Sequence, residues 1–203
     1  MTNAGSPRIA IIGSGFSGLG LAIYLKKAGI DSFEILEKAD RLGGTWRENT
    51  YPGAECDVPS PLYSFSFERN PRWSHKWSHQ PEILDYLDHC ASKYELGPHL
   101  RFDTEVARAS FRDSDGNWEL ELTDGAVEIF DAVVCATGQL HQRYTPEIPG
   151  ADDFEGESFH SADWNHELDL RKTRVAVIGN AASAVQFIPQ IAKTAASVTV
   201  FQR

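Results

Sequence analysis

With 203 residues, 41% of them hydrophobic and 24% charged, the chain has the length for a full core and the composition of an ordinary globular protein. A net charge of −10 argues against a general nucleic-acid partner and against an anionic membrane surface. Cys56, Cys90 and Cys135 have no metal-like spacing, so no metal site is expected, and an odd count fits a reducing, cytoplasmic setting.

Residues 1–7 are polar and lead directly into the first predicted strand, with no targeting segment visible, and no apolar run reaches the length of a membrane span. The strand Ile9-Ala10-Ile11-Ile12 enters Gly13-Ser14-Gly15-Phe16-Ser17-Gly18. This turn opens a helix whose apolar face holds Leu19, Ala22, Ile23 and Leu25. A tight turn, close backbone approach and a helix N-terminus are what a dinucleotide pyrophosphate needs. The next strand, 33–36, ends in Glu37, with Lys38 after it. A carboxylate there accepts hydrogen bonds from a ribose diol and repels a 2′-phosphate.

A long loop, rich in glycine and proline, runs over 38–60 and carries Gly43-Gly44-Thr45-Trp46 and Tyr51-Pro52-Gly53. Alternation predicts a strand over 61–67. Pro81, then Ile83, Leu84, Leu87, Cys90 and Ala91, predicts an amphipathic helix. Strands at 104–111, 118–122 and 126–130, with Asp115-Gly116 and Asp124-Gly125 between them, predict a β-meander. A buried strand follows at 131–135, closed by Ala136-Thr137-Gly138. Residues 139–172 read as a linker with prolines and charges.

The opening pattern then returns. Val175-Ala176-Val177-Ile178 enters Gly179-Asn180-Ala181-Ala182-Ser183-Ala184, and a strand follows at 197–201. Ala181 stands where a glycine is usual and narrows the room for a pyrophosphate, and Pro189 should kink or shorten the helix. Arg203 holds the place after this unit that Glu37 holds after the first. A guanidinium there either grips a 2′-phosphate or is an ordinary charge at a strand end. The two units are therefore expected to hold different dinucleotides.

On these residues the chain resembles the class B flavoprotein monooxygenases, and among them the Baeyer–Villiger type. The resemblance rests on the first glycine turn, Gly43 to Trp46, Tyr51 to Asp57, Ala136-Thr137-Gly138, and above all Phe154, Gly156, His160 and Trp164, which match F-x-G-x-x-x-H-x-x-x-W. Relatives acting on heteroatoms usually end this motif in Phe or Tyr. Asn165, where Pro or Asp is usual, is a departure. Without the resemblance, Phe154 and Trp164 read as packing anchors and His160 as a satisfied polar residue.

The resemblance implies an FAD- and NADPH-dependent monooxygenase. NADPH reduces the flavin, O2 gives a flavin C4a-peroxide, and the peroxide attacks a small-molecule ketone to yield an ester or lactone. It implies that Gly13, Gly15 and Gly18, with Ser14, Phe16 and Ser17, cradle the FAD pyrophosphate, with Glu37 on the ribose. Gly44, Thr45 and Trp46 would lie along the flavin, Tyr63 would contact it, and the Val106 backbone would meet the adenine. Asp57 matches an acid near flavin and nicotinamide that helps place an arginine not found in this span. Bare, Asp57 is a turn residue, and Cys56 beside it reads as packing, with no partner base in view. His160 would couple nicotinamide binding to domain motion. Gly179 to Ala184, with Arg203, would hold NADPH. The expected fold class is α/β, with two Rossmann-like units on parallel sheets, a β-meander, and the second unit incomplete. The expected division is an FAD domain over 1–150, a linker over 151–172 and the start of an NADP domain over 173–203. Two alternatives stay open: an N- or S-hydroxylating flavin monooxygenase, and a non-catalytic FAD-binding fragment. Oligomeric state is left open.

Overall fold

The structure, a computed structural model, describes residues 6–202. Arg203 lies outside the described residues. In chain order the elements are β1 (Ile9–Ile12), α1 (Phe16–Lys27), β2 (Phe33–Leu36), α2 (Thr45–Glu48), α3 (Gln80–Lys93), β3 (Leu100–Arg101), β4 (Val106–Arg112), β5 (Asn117–Leu122), β6 (Val127–Phe130), β7 (Ala132–Cys135), β8 (Arg174–Ile178), α4 (Ala182–Ile191) and β9 (Ser197–Phe201). They fall into two compact units. The first runs to Thr45 and adds Phe65–Glu68 and Leu84–His141; the second holds Trp46–Ser64, Arg69–Ile83 and the residues from Gln142 onward.

In the first unit, a parallel sheet has the order β3-β2-β1-β7. β1 sits centrally, with Ile9 opposite Phe33 on one side and Ala132 on the other. A strand flanked on both sides must be apolar throughout, and Ala10 and Ile11 are fully buried. Leu19, Ala22 and Ile23 of α1 are buried to the same degree. The two-residue strand β3, which the sequence did not reveal, extends the sheet beyond β2. The predicted strand at 131–135 is β7, but it forms the sheet edge, so Val134 is 38% exposed and Cys135 is open to solvent.

The meander is as predicted, with β4, β5 and β6 antiparallel and Trp118 opposite Phe130. Leu120 and Phe130 pack with Ala10 and Leu36 in one cluster, which seats the meander on the parallel sheet. A charge network binds the same layers. Arg101 bonds Glu34 at 2.7 Å and Glu128 at 2.8 Å, and Arg8 reaches Glu128 at 2.7 Å. Arg101 first, then Arg8, holds the Glu128 carboxyl below the usual carboxylate range. A depressed folded value gives stability that is present above the unfolded value, about 4.3, and is lost as pH falls through the folded one. Glu128→Gln should therefore unfold at a lower urea concentration at neutral pH, and the gap from the unsubstituted chain should close below about pH 4.

The expected strand over 61–67 does not form. Ser60–Leu62 is a 3-10 turn with Pro61 in its first positions, and Phe65 meets Glu68 only in an isolated bridge. Proline fixes φ and removes a donor, which suits a turn start. In the first unit the aromatic pair finds helices instead of a strand neighbour. Phe65 stacks on Phe67 at 5.0 Å and lies 5.2 Å from Phe16. The Tyr86 hydroxyl accepts the Phe65 N–H and donates to the Glu68 carbonyl, each at 2.7 Å, as a neighbouring strand would.

In the second unit, β8 and β9 are parallel, with Arg174 opposite Ser197 and Ile178 opposite Phe201. Ala184, Phe187 and Ile191 of α4 pack with Val177, Tyr51 and Ala54. α4 passes Pro189 and stops two residues later at Ile191, so it is short, as expected. The fold is α/β with two Rossmann-like strand–turn–helix units.

Candidate functional site

The first turn leaves the end of β1 and is built from backbone. Gly13 has φ +104°, and a Cβ there would lie 2.6 Å from the Ala136 carbonyl oxygen at the end of β7. A Cβ on Gly18 would lie 2.0 Å from the Gly13 carbonyl oxygen. Both glycines are demanded by the chain itself. Gly15 is different. As the N-cap of α1 it has φ −79° and ψ −167°, extended backbone open to any residue. A Cβ would meet nothing closer than Gly44 Cα at 3.8 Å. No side chain caps α1. The protein thus keeps a glycine that its own packing does not need, beside helix N–H groups that face an anion well.

Gly43 and Gly44 close the turn from the other side. Gly43 donates its N–H to the Ser14 carbonyl at 3.1 Å, and Gly44, at φ +54°, approaches Gly15 backbone to backbone. Thr45 follows, exposed. Phe16 is half-buried and Ser17 exposed at the start of α1. Glu37, at the end of β2, is 5% exposed. Its carboxylate accepts the Ser14 N–H at 2.9 Å, the Ser14 hydroxyl at 2.6 Å and the Ala39 N–H at 3.1 Å. These bonds fix it beside the turn. Lys38 is exposed, and so are Thr137 and Gly138, whereas Ala136 is half-buried and donates its N–H to the Ile12 carbonyl. Val106 opens β4 at a bulge, where the register shifts before Arg108. The structure thus brings Gly13, Ser14, Gly15, Gly18, Glu37, Gly44 and Ala136 together.

The second turn repeats this backbone. Gly179 has φ +99°, and Ala181 caps α4 at φ −75° and ψ −175°, also without a side-chain cap. Ala181 therefore stands in the same extended conformation as Gly15, and its methyl causes no backbone change. Asn180 and Ala182 are exposed, Ser183 half-buried and Ala184 buried.

Also in the second unit, the Trp46 indole N–H donates to the Tyr63 hydroxyl at 2.9 Å, with the rings edge-on at 5.5 Å. Burial pushes the Tyr63 hydroxyl above its ordinary value, and the Trp46 bond partly offsets this. Cys56 is buried and its thiol is pushed up, mainly by burial, which suits packing rather than attack. Asp57 is exposed. Its loop carries a residue that sequence reasoning missed. Gln186 of α4 accepts from the Tyr51 hydroxyl at 2.9 Å and from the Glu55 N–H at 3.3 Å, and donates to the Glu55 carbonyl at 2.8 Å. No period or motif marked it, because it lies off the buried face of α4 that carries Ala184, Phe187 and Ile191.

The linker motif has a local geometry of its own. The Phe154 ring lies over Gly156, where a Cβ would come within 2.5 Å of it, yet Phe154 is 64% exposed and anchors no core. His160 caps a 3-10 turn, Ser161–Asp163, its Nδ1 accepting the Ala162 N–H at 3.1 Å. That bond places the ring proton of the neutral form on Nε2. Trp164 ends the turn and packs 5.2 Å from Phe187 and 5.4 Å from Phe159.

The chain matches the family model described as pyridine nucleotide-disulphide oxidoreductase over residues 10–203. It is 50% identical over 196 residues to a Baeyer-Villiger monooxygenase of Streptomyces coelicolor, covering 97% of this chain and 38% of that protein. Among solved structures, it superposes on an open cyclohexanone monooxygenase with TM-score 0.90 at 38% identity, covering 97% of this chain and 39% of that one. A complex of OTEMO with FAD and NADP gives TM-score 0.90 at 34% identity, covering 99% and 39%. The chain thus spans about two fifths of the length of the proteins it matches. With the family match running through both glycine turns, the chain belongs to the pyridine nucleotide-disulphide oxidoreductase family and is similar across its length to Baeyer-Villiger monooxygenases.

Proposed function

We propose that the protein is an FAD- and NADPH-dependent monooxygenase that inserts one oxygen atom of O2 next to a ketone carbonyl. The observation that carries the cofactor half is Gly15, a glycine kept where the chain's own packing leaves room for a side chain. The ketone half is supported by Trp164 in the linker motif and by similarity to a cyclohexanone monooxygenase. The functional division proposed is FAD binding by 1–150, a linker over 151–172 and NADP binding from 173. The absence of paired cysteines among Cys56, Cys90 and Cys135 supports a cytoplasmic setting. Among the described residues no helix is long and apolar enough to cross a membrane.

When bound, FAD supplies the redox and oxygen chemistry and NADPH the hydride. The chain's part is to hold and orient. The α1 N-terminus, and not the Gly13 and Ser14 N–H groups already taken by Leu36 and Glu37, would face the FAD pyrophosphate, and Glu37, its rotamer fixed by Ser14, would offer acceptors to the ribose diol. Tyr63 keeps its proton at neutral pH as an ordinary phenol does, burial disfavours the phenolate further, and Trp46 sets its orientation. Asp57 is assigned as the acid near flavin and nicotinamide that helps place a catalytic arginine not found in this span. Gly179 to Ala184 would hold the NADPH pyrophosphate, and Arg203 is assigned to the 2′-phosphate from its place in the sequence.

The full-length protein that contains these residues should be yellow with non-covalent FAD and should consume NADPH in step with ester or lactone formed from cyclic or aryl ketones. Arg203→Ala should weaken NADPH about ten- to a hundredfold and leave NADH nearly unchanged, since only NADPH carries the gripped phosphate. Sulfoxide from a thioether with no ester from any ketone would assign the heteroatom chemistry instead. Retained flavin with no NADPH oxidation would leave a binding protein only.

A further inference from the structure

The loop that carries Asp57 has almost no regular structure, so its backbone groups must find partners elsewhere. On one edge Glu55 forms an isolated bridge with His79, and Cys56 donates its N–H to the Ser78 carbonyl at 2.9 Å. On the other edge the partner is a side chain. The Gln186 amide accepts from the Glu55 N–H and donates to the Glu55 carbonyl, the two-bond pattern of a neighbouring strand. Its oxygen also takes the Tyr51 hydroxyl, so one amide gathers both ends of the stretch from Tyr51 to Glu55. The chain makes room for this approach. A Cβ on Gly53 would lie 3.0 Å from the Gln186 carbonyl oxygen and 2.9 Å from Gln190 Cγ. Beside the clamp lies an open surface depression of about 310 Å³, lined by residues that include Thr50, His79 and Gln190.

Gln186 lies on the first turns of α4, five residues after its N-cap Ala181, or about 7–8 Å along the axis. The helix that follows the second glycine turn thus holds the Asp57 loop by a side chain. We propose that Gln186 is a positioning residue that couples dinucleotide binding at Gly179–Ala184 to the placement of Asp57. This rests on the reading of that turn as the NADPH site. A ligand pulling on the α4 N-terminus moves or stiffens α4 as one body, and the amide passes that change to Glu55 and, two residues on, to Asp57.

The test is hydrogen–deuterium exchange of peptides covering 50–57 in the flavin-loaded protein, with and without NADP+. In the unsubstituted protein NADP+ should slow exchange of this segment. Gln186→Met keeps the length and removes all three bonds. It should speed exchange of the segment about tenfold without ligand, abolish the slowing by NADP+, and change the NADP+ dissociation constant less than about threefold. Peptides of β8 and β9 should exchange as before. Gln186→Glu keeps the acceptor but sets a carboxylate oxygen against the Glu55 carbonyl, and should fail to rescue. Exchange unchanged in Gln186→Met, or NADP+ protection that persists in it, overturns the proposal. NADP+ that binds the unsubstituted protein without protecting 50–57 overturns the proposal alone. NADP+ that does not bind overturns the reading of the turn, and the coupling falls with it. Should Gln186→Met not fold, Gln186→Glu decides. It loses the donation to the Glu55 carbonyl while keeping an acceptor for Tyr51, so reduced NADP+ protection supports the coupling and unchanged protection overturns it.

Discussion

Gly15→Leu should give a folded, colourless protein. The extended backbone at position 15 accepts any residue, and a Cβ there has only Gly44 Cα in range, at 3.8 Å. The cost to the fold is therefore small, within about 0.5 kcal/mol either way. The cost to the cofactor is not. An isobutyl group fills the space in front of the α1 N-terminus, where the proposed pyrophosphate must approach the backbone. Retention of FAD should drop at least about a hundredfold, or roughly 3 kcal/mol. The comparison variant is Gly18→Ala, whose methyl would lie 2.0 Å from the Gly13 carbonyl oxygen. It should lower the unfolding free energy by about 1–3 kcal/mol or more, because α1 must shift off the turn that follows β1. Flavin absorbance after desalting and urea titration separate the two. Full flavin content in Gly15→Leu would sink the FAD assignment for this turn.

Trp164→Ala should act on the second unit's stability and leave the flavin in place. The indole packs on Phe187, which sits in the cluster with Tyr51, Val177 and Ile191. Truncating a buried Trp costs about 3–5 kcal/mol, and partial exposure here places the loss near the lower end. Trp164→Phe should recover about half of it. His160→Ala loses a cap on a short 3-10 turn, worth about 1 kcal/mol, and also the Nε2 donor. If the proposed coupling role of His160 is right, its variant should hold FAD and stay folded yet oxygenate poorly. Thermal unfolding, flavin content and product yield on the same preparations decide this. Loss of flavin from both variants at low temperature would make the motif a packing device only.

The local elements were legible in the sequence where each residue's role is set by its neighbours along the chain. β1, its turn, α1 and β2 follow from an apolar run, three glycines and a helical apolar face. The second unit follows from the same order, and the meander from alternation with two Asp-Gly turns. Glu37 was legible for the same reason, since its place is fixed by the strand it ends.

Tertiary structure decided what depends on a partner distant in sequence. The aromatic alternation at 61–67 predicts a strand, but a strand needs a neighbour, and Tyr86 of α3 supplies the bonds to Phe65 and Glu68 instead. The apolar run at 131–135 says strand but not edge, because exposure depends on whether a further strand lies beside β7. Phe154 reads as an anchor by type, yet its ring covers Gly156 and faces solvent. Ala181 repeats the φ and ψ of Gly15, so the chain accepts its methyl without a change of backbone, while the methyl still takes up room beside the turn. Gln186 carried no period or motif at all. Its role arises only because the Tyr51–Glu55 stretch, far away in sequence, folds back to present an unpaired backbone edge to one amide.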